Sequence, residues 1–183
     1  NDGRFYVKII DYLINNDSLA ERRFVKKWQH HGFGDAPDNL GERNLERGKL
    51  VFEQATCSRC HNIGPGEKKL GPDLTEVVKR FQGAKLLTQI VRPSAEINKD
   101  FKTQMILGDD GKMRTGLVIQ ETDDEIHFIP NLLKPERIEV MAKDSIEERK
   151  TADISTMPTG LLDTFTQEEI FDLLAYIQSR GQQ

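Results

Sequence analysis

The chain has 183 residues, with 26 Lys and Arg against 30 Asp and Glu, a net charge of −4, and 37% apolar and 31% charged residues. This length suits one domain with an insertion or a small appendage. The charge balance argues against nucleic acid as a partner and leaves a protein partner open, and apolar runs of five residues or fewer give no membrane-spanning helix.

In chain order, residues 1–30 predict two short helices. The first carries an apolar stripe of Phe5, Ile9 and Tyr12 with Ile10 and Leu13. After Asn15-Asn16-Asp17, a capping-box pair of Ser18 and Glu21 precedes Leu19, Phe24, Val25 and Trp28. His31 to Gly41, with three Gly and one Pro, reads as a linker. Leu45 to Phe52 is helical in pattern, with Gly48 and Phe52 on one face. A mid-helix glycine costs about 1 kcal/mol against alanine, so close backbone packing is expected there. Its partner lies at the other end: Thr166 and Glu169 form a second capping box ahead of Ile170, Phe171, Leu173, Leu174, Tyr176 and Ile177. The two helices are expected to cross at the glycine. Between them come Gly71-Pro72-Asp73-Leu74 and two short helices, Thr75–Arg80 and Ala84–Val91, the second stopped by Arg92-Pro93. Residues 102–141 switch to period two. Strands are predicted at Gln104–Leu107, Met113–Gln120, Ile126–Ile129 and Arg137–Met141, the first pair joined by Asp109-Asp110-Gly111. This is a small antiparallel β unit of three to five strands.

One pentad dominates the chemistry. Cys57-Ser58-Arg59-Cys60-His61 contains both cysteines of the chain, and CxxCH is the attachment signature of a c-type haem. Two thiols three residues apart add to the two vinyl groups of one haem, and the adjacent histidine ligates its iron. A thioredoxin-like dithiol needs a βαβ context, and a zinc site needs a second ligand pair that the sequence lacks. For the sixth ligand the candidates are Met105, Met113, Met141, Met157, His30, His31 and His127. The first three methionines fall in β-patterned segments. Met157 sits in Ser155-Thr156-Met157-Pro158-Thr159-Gly160-Leu161, a loop of turn-formers in which proline stiffens the chain and a thioether is free to face a metal.

Together these residues resemble class I cytochrome c: Gly48 and Phe52, the CxxCH pentad, Gly71-Pro72-Asp73-Leu74, Met157-Pro158 and an aromatic-rich last helix. A longer pattern resembles the haem-binding domain type of Planctomycetes and Verrucomicrobia, found in large secreted proteins. It comprises Leu86-Leu87, Ile90 to Ile97, Gly111, Gly116, and Ser155-x-Met157-Pro158-x-Gly160-Leu161. The resemblance covers residues 42–180. It implies a mostly α fold, a class I cytochrome c helical core around one haem with an inserted β unit at about 102–144 and an N-terminal helical extension over 1–41. It also implies that Cys57 and Cys60 hold haem c, with His61 proximal and Met157 distal, and that the Pro72 carbonyl accepts from His61 Nδ1. Leu70, Leu74, Leu87, Ile90 and Leu161 would form an apolar wall, and Arg80 or Arg92 would stand near a propionate.

The expected function is electron transfer, as a carrier or as the electron-accepting domain of a larger dehydrogenase system, with a redox protein as partner. No acid–base constellation is legible, so the chain is not expected to be an enzyme. The alternative is a haem with an open or displaceable sixth position, peroxidase-like or gas-sensing. Attachment of c-type haem implies a periplasmic or otherwise extracytoplasmic location. The opening Asn1-Asp2-Gly3-Arg4 is not a secretory signal, so the chain is expected to be a mature form or a piece of a longer one.

Overall fold

The computed structural model describes residues 22–34, 36–64, 70–132 and 134–181. Helix α1, Leu45–Gln54, begins where the Asn44 side chain accepts from the Arg47 N–H. Helix α4, Gln167–Gln178, begins at Thr166, whose hydroxyl accepts from the Glu169 N–H while the Glu169 carboxylate accepts from the Thr166 N–H. The two helices cross at Gly48. A Cβ there would lie 2.2 Å from the Asp172 carbonyl oxygen and 2.7 Å from Tyr176 Cβ, so any side chain would force the pair apart. The crossing also buries a charge. Asp172 is 1% exposed, accepts from the Asn44 N–H at 3.2 Å and pairs with the Arg47 guanidinium, which supplies the partner a buried carboxylate requires. Helices α2, Leu74–Val77, and α3, Gly83–Val91, complete the helical layer. Its core includes Val51, Leu87, Leu162, Phe165, Ile170 and Leu174.

The second layer is a five-stranded sheet: β1 Lys102–Gly108, β2 Met113–Glu121, β3 Glu125–Ile129, β4 Glu139–Ala142 and β5 Ile146–Ser155. The order is β4-β3-β2-β1-β5, with every neighbouring pair antiparallel. It has its own apolar cluster of Ile106, Ile126 and Phe128. Gly111 (φ +72°) closes the β1–β2 turn in the left-handed region that a three-residue hairpin loop requires. Gly116 lets β2 approach β3, since a Cβ would sit 2.7 Å from the Ile129 carbonyl oxygen and from Phe128 Cδ2.

Two sequence expectations fail here. The domain is not mostly α, nor plainly a class I cytochrome c helical fold. Among the described residues, four helices of 10, 4, 9 and 12 residues are matched by strands of 7, 9, 5, 4 and 10, giving an α+β architecture. Strand β5 escaped the pattern because its residues are mostly exposed and charged, so no apolar alternation marks them. The predicted second N-terminal helix is likewise absent over residues 22–29, which run without regular secondary structure. Its apolar residues do not form one buried face: Phe24 is 68% exposed, while Trp28 stacks on Phe33 at 4.6 Å. The first predicted helix and the Ser18–Glu21 pair lie outside the described residues.

Candidate functional site

The CxxCH pentad folds back on itself. Thr56 (φ +61°) leads into a 3-10 turn over Cys57–Arg59, and the Cys57 carbonyl accepts from the N–H groups of both Cys60 and His61. Gly71 N–H donates to the Cys60 carbonyl at 2.8 Å, and Leu74 N–H donates to the Asn62 carbonyl at 2.9 Å. These bonds lay Gly71-Pro72-Asp73-Leu74 along the histidine. His61 Nδ1 lies 2.8 Å from the Pro72 carbonyl oxygen. A carbonyl only accepts, so Nδ1 carries the hydrogen, and in the neutral ring Nε2 is the nitrogen with the lone pair. Gly71 packs on the ring: a Cβ there would meet His61 Cε1 at 2.7 Å and Nδ1 at 2.9 Å.

The pentad opens onto a cavity of about 1020 Å³, at the upper end of the range usual for cofactor sites. Of the residues singled out in the sequence, Cys57, Cys60, His61, Leu70, Pro72, Leu74, Ile90, Met157 and Leu161 line it. Leu87 does not. It is 1% exposed inside the helical core, and its neighbour Leu86 takes the cavity position, because successive helical residues point about 100° apart. Arg80 reaches the cavity and pairs with Glu96 at 2.5 Å; Arg92 is not part of the lining. The candidate sixth ligands separate cleanly. Met157 alone among the four methionines, and His61 alone among the four histidines, line the cavity. Met105 and Met113 are exposed on the sheet and Met141 packs against its apolar cluster. His127 bonds Glu125 at 2.6 Å, and His30 and His31 pack edge to face on each other.

Sequence reasoning missed the contribution of the sheet. Thr103, Thr115, Gly116 and Ile129 of the sheet, with Pro130 and Leu132 of the β3–β4 connection, form part of the cavity wall. Gly116 belonged to the family pattern, but period-two alternation identifies two strand faces without saying which one a cofactor takes.

Cys57 and Cys60 are not joined in a disulfide. Cys57 is buried, and that burial pushes its thiol up to about 12, the reverse of the lowered thiol of a redox-active CxxC pair. Among the described residues no three His, Cys, Asp or Glu side chains cluster as a metal site. Two thiols at one end of a largely apolar cavity, beside an imidazole whose Nε2 keeps its lone pair, fit a covalently held haem. Cys57 and Cys60 would hold its periphery and His61 its iron.

A family model described as Cytochrome c matches residues 45–133, just under half of the chain. Residues 45–133 are thus similar to a cytochrome c-type domain, and haem-based electron transfer is the general function of such domains. Domains of this type are commonly extracytoplasmic, and among the described residues no helix is long and apolar enough to cross a membrane. The match runs from α1 to the β3–β4 loop and ends before Met157. No curated protein matches the chain.

Proposed function

We propose that this chain carries one haem c, bound through Cys57 and Cys60 with His61 and Met157 as axial ligands, and passes electrons to or from a redox protein partner. The observation that carries the reading is the sorting of ligands: of four histidines and four methionines, only His61 and Met157 face the cavity. When bound, the haem supplies an iron that cycles between ferric and ferrous states. The protein's part is to hold still. The Pro72 carbonyl fixes the His61 ring and raises its basicity as a ligand. Leu74, Leu86, Ile90 and Leu161 exclude water, which disfavours the more charged ferric form and raises the potential together with the thioether. Cys60 is only half-buried, which supports a haem that would keep one edge near the surface for a partner.

The finer assignments rest on the sequence pattern. Residues 42–183 form the haem-bearing domain, of the type found in Planctomycetes and Verrucomicrobia, with 1–41 ahead of it. The partner is a dehydrogenase or another electron carrier, and the location is periplasmic or otherwise extracytoplasmic. The test is an absorption spectrum of protein matured in a bacterial periplasm. The expected result is the weak far-red ferric band of a thioether ligand, lost in Met157→Ala, with no carbon monoxide binding to the unmodified ferrous protein. A high-spin ferric spectrum, or carbon monoxide binding, overturns His/Met ligation in favour of an open sixth position.

A further inference from the structure

The segment Arg22 to Trp28 crosses the start of α4 and makes five hydrogen bonds onto three consecutive residues, 163–165. Val25 and Lys26 donate their N–H groups to the Asp163 carbonyl at 2.8 and 3.1 Å. Arg22 Nε donates to the Thr164 carbonyl at 3.2 Å, and Trp28 Nε1 to the Phe165 carbonyl at 3.0 Å. The Trp28 N–H donates to Asp163 Oδ1 at 3.1 Å. Arg22 also lies 4.1 Å over the Phe165 ring and pairs with Glu169 at 2.5 Å.

These three residues end the loop that carries Met157. The loop has two fastenings. Upstream, Ser155 N–H donates to Ser94 Oγ and Met157 N–H donates to Ser155 Oγ, both at 3.1 Å. Downstream, the Asp163 N–H closes a turn onto the Gly160 carbonyl at 3.1 Å, and Gly160 has φ +80°. Asp163 thus ties the methionine turn to the segment through both its carbonyl and its carboxylate. Buried Leu162 and Phe165 seat the loop's downstream end in the helical core, and local opening of the stretch before them is governed by bonds of this kind.

We propose that Asp163 and Trp28 are positioning residues for Met157, and that residues 22–28 are the strap that keeps its thioether in the cavity. The proposal rests on the His/Met reading above. The experiment uses the haem-loaded full chain and compares Asp163→Ala, Asp163→Asn and Asp172→Ala. Asp172 serves as the control because its carboxylate braces the α1–α4 crossing without touching the strap. Each variant is read by thermal midpoint, by the far-red ferric band, and by carbon monoxide binding to the ferrous form well below the midpoint. The expected result is loss of the band and gain of carbon monoxide binding in Asp163→Ala. Asp163→Asn, whose amide oxygen still accepts from the Trp28 N–H, retains the band. Asp172→Ala lowers the midpoint and keeps the band. Should Asp163→Ala not fold, Trp28→Phe decides in its place, since it keeps the stack on Phe33 and removes only the bond to the Phe165 carbonyl; weakening of the band supports the strap. A band that persists in the variant read, or that is lost equally in Asp172→Ala, overturns the positioning role alone. Absence of the band in the unmodified protein overturns both the ligation and the strap.

Discussion

The two sides of the cavity are built in opposite ways. The histidine side closes over short stretches: His61 to Cys57, Cys60 to Gly71, and His61 to Pro72, 11 residues apart. The methionine side closes over long ones: Ser155 to Ser94, 61 residues apart, and Asp163 to Trp28, 135 apart. One side is thus specified by a few neighbouring residues, and the other by the whole fold. A local motif holds its ligand even when distant packing is weakened. A ligand presented by remote contacts reports on the state of the entire domain.

The severest way to test this contrast is to loosen the sheet. Phe128 is fully buried in the small apolar cluster, so Phe128→Ala is expected to destabilise the protein by about 3–5 kcal/mol, measured by denaturant unfolding. Covalent haem content, read on a denaturing gel stained for haem, should stay at the level of the unmodified protein. If the haem is lost along with the sheet, the histidine side is not locally built.

A smaller change acts on the histidine side alone. Gly71→Ala places a methyl 2.7 Å from His61 Cε1. The ring or the backbone must then move, at a cost of about 1–3 kcal/mol. On the proposed His61/Met157 ligation, the expected signature is a shifted reduction potential with the far-red band retained. A potential identical to that of the unmodified protein would show that the ring has room to spare.

The smallest expected effect is one of pH. Burial works against ionisation of Glu169, but the Thr166 N–H, the Arg22 guanidinium and the Thr166 hydroxyl together hold its carboxyl below the usual glutamate range. A lowered acid contributes its stability above the ordinary pKa, about 4.3, and loses it as pH falls through the lowered value. Acidification through and below that range should therefore release one end of the strap first. Trp28 is the sole tryptophan, so its fluorescence should change ahead of the global transition. A single coincident transition would mean the strap is no weaker than the rest.

The same contrast explains what could be read from the sequence. The pentad, the Pro72 bond, the Thr166–Glu169 capping box and the crossing at Gly48 are short-range patterns or single-residue demands, and each has a sequence signature. Most of the strands were legible because one of their faces is apolar. Strand β5 carries Glu147 to Lys150 on an exposed edge, and without a buried face alternation has nothing to record. Leu87 and Leu86 could not be told apart because either residue of an apolar pair serves a helix face. The strap read as a helix because its apolar residues happen to fall at helical spacing, while the bonds that straighten it come from a turn more than a hundred residues away.

Val25 and Lys26 grip Asp163 through the backbone, and the side chain of Phe24 between them and Arg22 points into solvent. This anchorage is indifferent to what stands at positions 24 to 26, with one exception: proline at 25 or 26 has no N–H to give. The strap can therefore diverge at positions 24 and 25 while its grip on the turn is unchanged, whereas Arg22 and Trp28 bond the turn through their side chains and the Lys26 ammonium lies 5.0 Å over the Trp28 ring.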